Sequence, residues 1–207
     1  MFALFKKKKK EGMPHAYIFI GRSGAGKGTQ AALLKTYLEA NGQDVLHIET
    51  GALLRKEVKE GTHVDGLIKA SIESGGLIPD TFAISMWVGY VTKNFTGFEH
   101  LIFDGSPRKL SEAKMLDNTL GFIGIKNYTV LYIDVSSDWS YEKLSARARN
   151  DDTKDGIAKR MRWFDEEVLP TLAFFRTNPN ARVIDINGEQ SIDLVHQDVL
   201  RSVGAQK

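Results

Sequence analysis

The sequence predicts an α/β protein in which a parallel sheet is covered on both faces by helices. Three observations carry that prediction. Short apolar runs alternate with helix-period segments along the chain, the pattern of β-α units. Those runs are nearly continuous in β-branched and aromatic residues (AYIFI at 16–20, YTVLYIDV at 128–135), as strands buried on both faces require. A glycine-rich turn, GRSGAGKGTQ at 21–30, joins the first run to the first helical segment.

Taken in order, residues 15–20 read as the first strand and 31–40 as the body of the first helix, which stops at Asn41-Gly42, a C-cap signal. Residues 45–48 form a second short strand. Thr50 reads as the N-cap of a helix through Leu53, Leu54 and Val58. Gly61-Thr62 restarts the chain into a helix ending at Gly75-Gly76, and Pro79-Asp80 opens a longer one to about Phe95. A third strand, LIFD at 101–104, runs into the turn Gly105-Ser106-Pro107. Helix follows at 111–120, then the strand at 128–135, then a helix to about Arg147 capped by Ser137 or Asp138. The polar stretch 148–154 interrupts it, and a second long helix continues to about Arg176. Residues 183–186 are the last strand and 191–203 the last helix.

A chain of 207 residues without cysteine suits one domain and excludes disulfides and cysteine-based zinc sites, as in a cytoplasmic protein. No apolar run is long enough to span a membrane. The formal charge of +2 is misleading, because residues 1–12 alone carry a net +4 and the remainder is acidic. A nucleic-acid surface is therefore not indicated. That charge comes from Lys6, Lys7, Lys8, Lys9 and Lys10 behind the apolar tip MFALF. A solvated basic arm is the preferred reading over contact with an anionic membrane, since one short tip anchors weakly.

The turn at 21–30 has the chemistry of a phosphate cradle. Gly21, Gly26 and Lys27 fit G-x-x-x-x-G-K between a strand and a helix. Small residues let backbone N–H groups converge on phosphate oxygens, the helix end adds its positive dipole, and the lysine adds a point charge. Gly28 stands in the usual hydroxyl slot, with Thr29 one later. Three further constellations fall on the same edge. Asp104 to Arg108 offers a carboxylate able to hold magnesium through water and an arginine able to grip phosphate. Arg147, Arg149, Asp151, Asp152 and Arg160 form an arginine-dense group suited to spreading phosphoryl charge, or else a salt-bridged surface, which is the preferred reading for Arg162. HIETGALLR at 47–55 offers Thr50 and Arg55 as binders, with His47 read as structural.

These segments resemble the motifs of the adenylate kinase family. The loop ends in GKGTQ. HIETGALLR, GGLIPD at 75–80, FDGSPRKLSEA at 103–113, and RNDDT at 149–153 trailed by Arg160 follow in the family's order. The resemblance covers about residues 16–190. It implies a P-loop NTPase-like three-layer α/β/α fold with about five parallel strands. One kinase domain (13–207) would carry a helical monophosphate-binding region at about 50–78 and a very short lid at about 148–152. It further implies a monomer that transfers the γ-phosphoryl group of ATP to AMP with Mg2+, giving two ADP. By that resemblance Gly24, Ala25, Gly26, Lys27, Gly28 and Thr29 cradle the ATP phosphates. Lys143, Arg147 and Gln190 complete the ATP site. Thr50, Arg55, Gly76, Leu77, Ile78, Gly105, Ser106, Pro107, Arg108 and Glu112 hold the monophosphate, with Arg149 and Arg160 clamping acceptor and transferring group. Lys27, Arg108, Arg147, Arg149 and Arg160 are then the catalytic residues, and Asp104 organises the metal.

Four positions depart from the family pattern: Ser23 replaces proline, Ala52 replaces an aspartate that helps organise magnesium, Lys143 replaces a base-stacking arginine, and the lid is minimal. A fifth bears on substrate. Glu112 stands where a glutamine usually reads adenine, and an ionised carboxylate offers acceptors only, which suits guanine better. Thr50 argues for adenine. AMP is the first choice, with GMP, CMP or UMP behind it, and a catalytically weak nucleotide-binding protein is the alternative of another class.

Overall fold

A computed structural model describes residues 13–57, 61–74, 76–147 and 152–204. The basic arm (1–12), Val58, and Ala148, Arg149 and Asp151 of the expected lid lie outside the described residues. The elements run β1 (Ala16–Gly21), α1 (Lys27–Ala40), β2 (Val45–Glu49), α2 (Thr50–Glu57), α3 (His63–Glu73), α4 (Asp80–Asn94), β3 (His100–Asp104) and α5 (Leu110–Phe122). They continue with β4 (Tyr128–Asp134), α6 (Ser137–Arg147), α7 (Lys154–Trp163), a π turn (Phe164–Val168), α8 (Leu169–Thr177), β5 (Ala181–Asn187) and α9 (Ile192–Ser202).

The sheet is five-stranded and all parallel, in the order β2-β3-β1-β4-β5. Strand periodicity divides its core into two layers. Ile18 and Ile20 of β1 face Trp87 and Val91 of α4, Leu116 and Leu120 of α5, and Phe175 of α8. Tyr17 and Phe19 face Leu34 and Leu38 of α1 and Val195 and Val199 of α9. This is the three-layer arrangement the sequence predicts. β1 and β3 lie centrally, so their carboxyl ends, Gly21 and Asp104, open onto the same edge.

Most helix boundaries follow local chemistry. Thr62 accepts from the Asp65 N–H while Asp65 accepts from the Thr62 N–H, a reciprocal capping box for α3. Ser191 caps α9. Two expected caps are corrected. Thr50 is the first residue of α2, with no capping role for its side chain. The hydroxyl capping α6 belongs to Ser136, which accepts from Trp139, and not to Ser137 or Asp138. The expected long helix is divided by the π turn. Pro170 lacks the N–H that would extend the α ladder, and the Leu169 N–H reaches five residues back to the Phe164 carbonyl. Among the described residues no helix is long and apolar enough to cross a membrane.

Gly21 is a fixed point of this fold. Its φ is 154°, and a Cβ there would lie 2.4 Å from the Ile133 carbonyl oxygen on β4. That neighbour is backbone in mid-sheet and cannot swing away. Gly21→Ala is expected to destabilise the protein by about 3 kcal/mol. Urea unfolding would measure this, and an unchanged midpoint would show that the sheet can open there without cost.

Candidate active site

The glycine loop is pinned from below. Ala25 is buried beneath it, and the Ser140 hydroxyl of α6 donates to the Ser23 carbonyl. Gly24 and Gly26 take positive φ values of 87° and 84°, and a Cβ on Gly24 would meet the Ser140 carbonyl at 3.0 Å. Among the described residues no side chain caps α1, which leaves the positive end of its dipole open to an anion. Lys27 Nζ donates to the Gly21 and Arg22 carbonyls, at 2.8 Å each. Burial pulls its pKa down to about 8, opposed by Asp104 and reinforced by Arg108 and Arg147.

The Gly28 substitution has a steric reason. A Cβ at Gly28 would come within 3.0 Å of Asp104 Oδ2, so the glycine lets this largely buried carboxylate sit against α1. Beyond Asp104 the chain turns at Gly105, whose φ is 83°, and delivers Arg108. Arg108 Nε donates to the Gly105 carbonyl at 2.8 Å, and its guanidinium carbon lies 5.6 Å from the Trp163 ring centroid. Burial lowers the Arg108 pKa, with Glu112 and Asp104 opposing.

Glu112 lies beneath this turn and is 3% exposed. Its Oε2 accepts from the Ser106 hydroxyl at 3.1 Å and from the Arg108 N–H at 3.3 Å. Burial raises its pKa, although the Arg108 charge and the Ser106 hydrogen bond act against the shift.

Across the cleft, Asp152 ties two arginines together. Arg147 donates bidentately to it, Nε to Oδ2 and Nη2 to Oδ1, both at 2.8 Å. Arg160 Nη2 reaches the same Oδ1 at 2.6 Å. The salt-bridged network that the sequence allowed is therefore present, and its two arginines line the cleft. Lys143 rests 4.5 Å above the Trp139 ring.

One cleft of about 860 Å³ gathers these parts. Its wall includes Gly24, Gly26, Lys27, Gly28 and Thr29 from the loop, and Asp104, Gly105 and Arg108 from the β3 turn. Lys143, Arg147 and Arg160 come from α6 and α7, while Arg55, Gly76 and Ile78 come from the 50–78 region. Other expected residues are not part of that wall. Ala25, Thr50, Ser106, Pro107 and Glu112 are buried, the Leu77 carbonyl accepts from Ser71, and Gln190 donates to the Asn187 carbonyl and to Asp198. The Thr50 hydroxyl is buried without a hydrogen-bond partner among the described residues. Arg149 lies outside them.

The wall also contains residues the motif reading did not single out as binders: Ser23, Ala32, His47, Glu49, Gly51, Leu54, Ile72 and Trp163. His47 and Glu49 flank buried Ile48, so the period of a strand sends both to the opposite face, toward α1. Glu49 accepts from Arg55 at 2.9 Å, and burial lowers the His47 pKa, with Asp104 and Glu49 opposing. Trp163 follows Arg160 by three residues, which places them on one helix face.

Comparison with known proteins agrees with this geometry. The family model for adenylate kinase matches residues 19–180. An adenylate kinase of Xylella fastidiosa (strain 9a5c) is 33% identical over 193 residues, covering 90% of this chain and 98% of that protein. One from Nocardia farcinica (strain IFM 10152) is 34% identical over 189 residues, with 90% and 98% covered. Adenylate kinase 1 of Nostoc sp. (strain PCC 7120 / SAG 25.82 / UTEX 2576) is 30% identical over 188 residues, with 91% and 98% covered. The phosphate loop, the turn at Asp104 and the paired arginines thus lie within a match that spans nearly the whole chain, and the chain belongs to the adenylate kinase family of phosphotransferases.

Proposed function

We propose that this kinase transfers the γ-phosphoryl group of ATP to AMP with Mg2+, giving two ADP. The observation that carries the reading is the convergence of the glycine loop, Asp104, Arg108, Arg147 and Arg160 on one cleft. An AMP phosphate oxygen attacks the γ phosphorus while the bond to the β–γ bridging oxygen breaks. The acceptor is already an anion, so no general base is required. Lys27 and the loop N–H groups hold the donor phosphates, Arg108 holds the acceptor phosphate, and Arg147 and Arg160 neutralise charge on the transferring oxygens. Arg149 is proposed to join them. The regions at about 50–78 and 148–152 close over the substrates and exclude water.

Magnesium fits this donor set in a particular way. No group of three or more His, Asp or Glu able to hold a metal occurs among the described residues. The single carboxylate of Asp104, set against the loop, suits an ion carried mainly by phosphates and water. When bound, the ion neutralises phosphate oxygens.

Base preference rests on Glu112. A neutral carboxyl can both donate and accept, as adenine requires, and burial favours that form. Its ionised form supports a second reading, guanine. Turnover with AMP, GMP, CMP and UMP tests both. AMP is expected to lead, and its KM to rise with pH as Glu112 ionises, whereas Glu112→Gln should hold a flat KM and a stronger AMP preference. A wild-type preference for GMP would overturn the adenine reading, and equal ADP formation without any monophosphate would overturn the kinase reading.

A further inference from the structure

We infer that Trp163 is a positioning residue for the acceptor-phosphate arginine. The inference deepens the proposed reading, because it assumes that Arg108 receives the monophosphate. A guanidinium can be fixed in two ways. A carboxylate holds it through its in-plane N–H groups and cancels its charge. An aromatic face holds it from above, leaving both the charge and the N–H groups available.

The cleft contains both solutions. Arg147 and Arg160 are held by the Asp152 carboxylate. Arg108 has the other arrangement. Its carbon lies 5.6 Å from the Trp163 centroid, and its Nε donates to the Gly105 carbonyl at 2.8 Å. Its backbone N–H donates to Glu112, so main chain, Nε and ring face are each engaged. The two terminal nitrogens make no hydrogen bond among the described residues. Trp163 itself lines the cleft and also packs against the sheet core. The guanidinium is thus oriented in advance with its two phosphate-facing donors unspent, which lowers the ordering cost of capturing a phosphate.

The test compares Trp163→Phe, which keeps an aromatic face, with Trp163→Leu, which keeps apolar bulk alone. The leucine variant is expected to raise the KM for AMP on the order of tenfold while the KM for ATP stays within about twofold, and phenylalanine should restore most of the loss. AMP binding without ATP gives a second readout. Of the three tryptophans, Trp87 is buried in the core and Trp139 lies under Lys143, so the fluorescence change on adding AMP should vanish in both variants. Equal AMP affinity in the leucine variant and wild type would overturn the inference. So would parallel losses for AMP and ATP, or a phenylalanine variant as poor as leucine. Wild-type protein that transfers no phosphoryl group to any monophosphate would overturn the functional reading instead, and AMP or inorganic phosphate titrations of the variants would still decide the role of Trp163.

Discussion

Lys27→Met is expected to lower phosphoryl transfer by at least about 10²–10³-fold and to make the substrate-free protein more stable near neutral pH. Both effects have one origin. The ammonium group is enclosed by the loop and, among the described residues, has only the Gly21 and Arg22 carbonyls as hydrogen-bond partners. Burial costs the charged form enough to bring its pKa from 10.5 to about 8. Between those values the unfolded chain binds the proton and the folded chain does not, so wild-type stability should rise with pH across that window. Activity should move the other way. Above about pH 8 the free enzyme loses the charge proposed to attract ATP phosphates, and kcat/KM for ATP should fall. The methionine variant should show neither trend. Urea unfolding at several pH values and a pH–rate profile would measure the pair. A variant retaining more than about a tenth of wild-type kcat would remove Lys27 from the transition state.

Arg108→Lys is the second large effect. Lysine keeps the charge but loses the fork, the bond to the Gly105 carbonyl and the guanidinium's contact with the Trp163 ring. Expected is a fall in kcat/KM for AMP of about 10²–10³-fold, with the KM for ATP changed by less than about threefold. Steady-state kinetics with each substrate varied in turn would measure it. Equal damage to both substrates would show that Arg108 acts through the architecture of the cleft and not through the acceptor. This variant and Trp163→Leu touch the same guanidinium, so their effects should be less than additive when combined.

The fold was legible because its signals are local. Apolar runs of strand length, Asn41-Gly42, Gly61-Thr62 and Pro79-Asp80 set boundaries that the structure reproduces within a few residues. The loop was legible because its glycines are demanded by backbone shape. What stayed hidden depends on contacts between distant segments. Nothing near Gly28 announces that Asp104, 76 positions later, needs its empty side-chain space. Ser137 and Asp138 have the composition of caps in sequence, and only the path out of β4 gives the role to Ser136. Thr50 has the composition of a cap, yet its hydroxyl is turned inward. Trp163 carries no signal in the sequence, and only the structure packs it against the core with its ring also meeting an arginine from the β3 turn. Glu112 was legible as a departure from its family, but its hold on the Arg108 N–H required coordinates.

Asp152 gives the substrate-free cleft one further property. Its two oxygens receive donors from Arg147 and Arg160 in the way a phosphate oxygen pair would. On the proposed reading, a nucleotide arriving there does not fill a bare positive hole. It exchanges with a resident anion, as a counter-ion displaces another on a resin. Such a site holds product less tightly than a naked arginine pair would, because the tethered carboxylate competes for the same N–H groups at high local concentration throughout release.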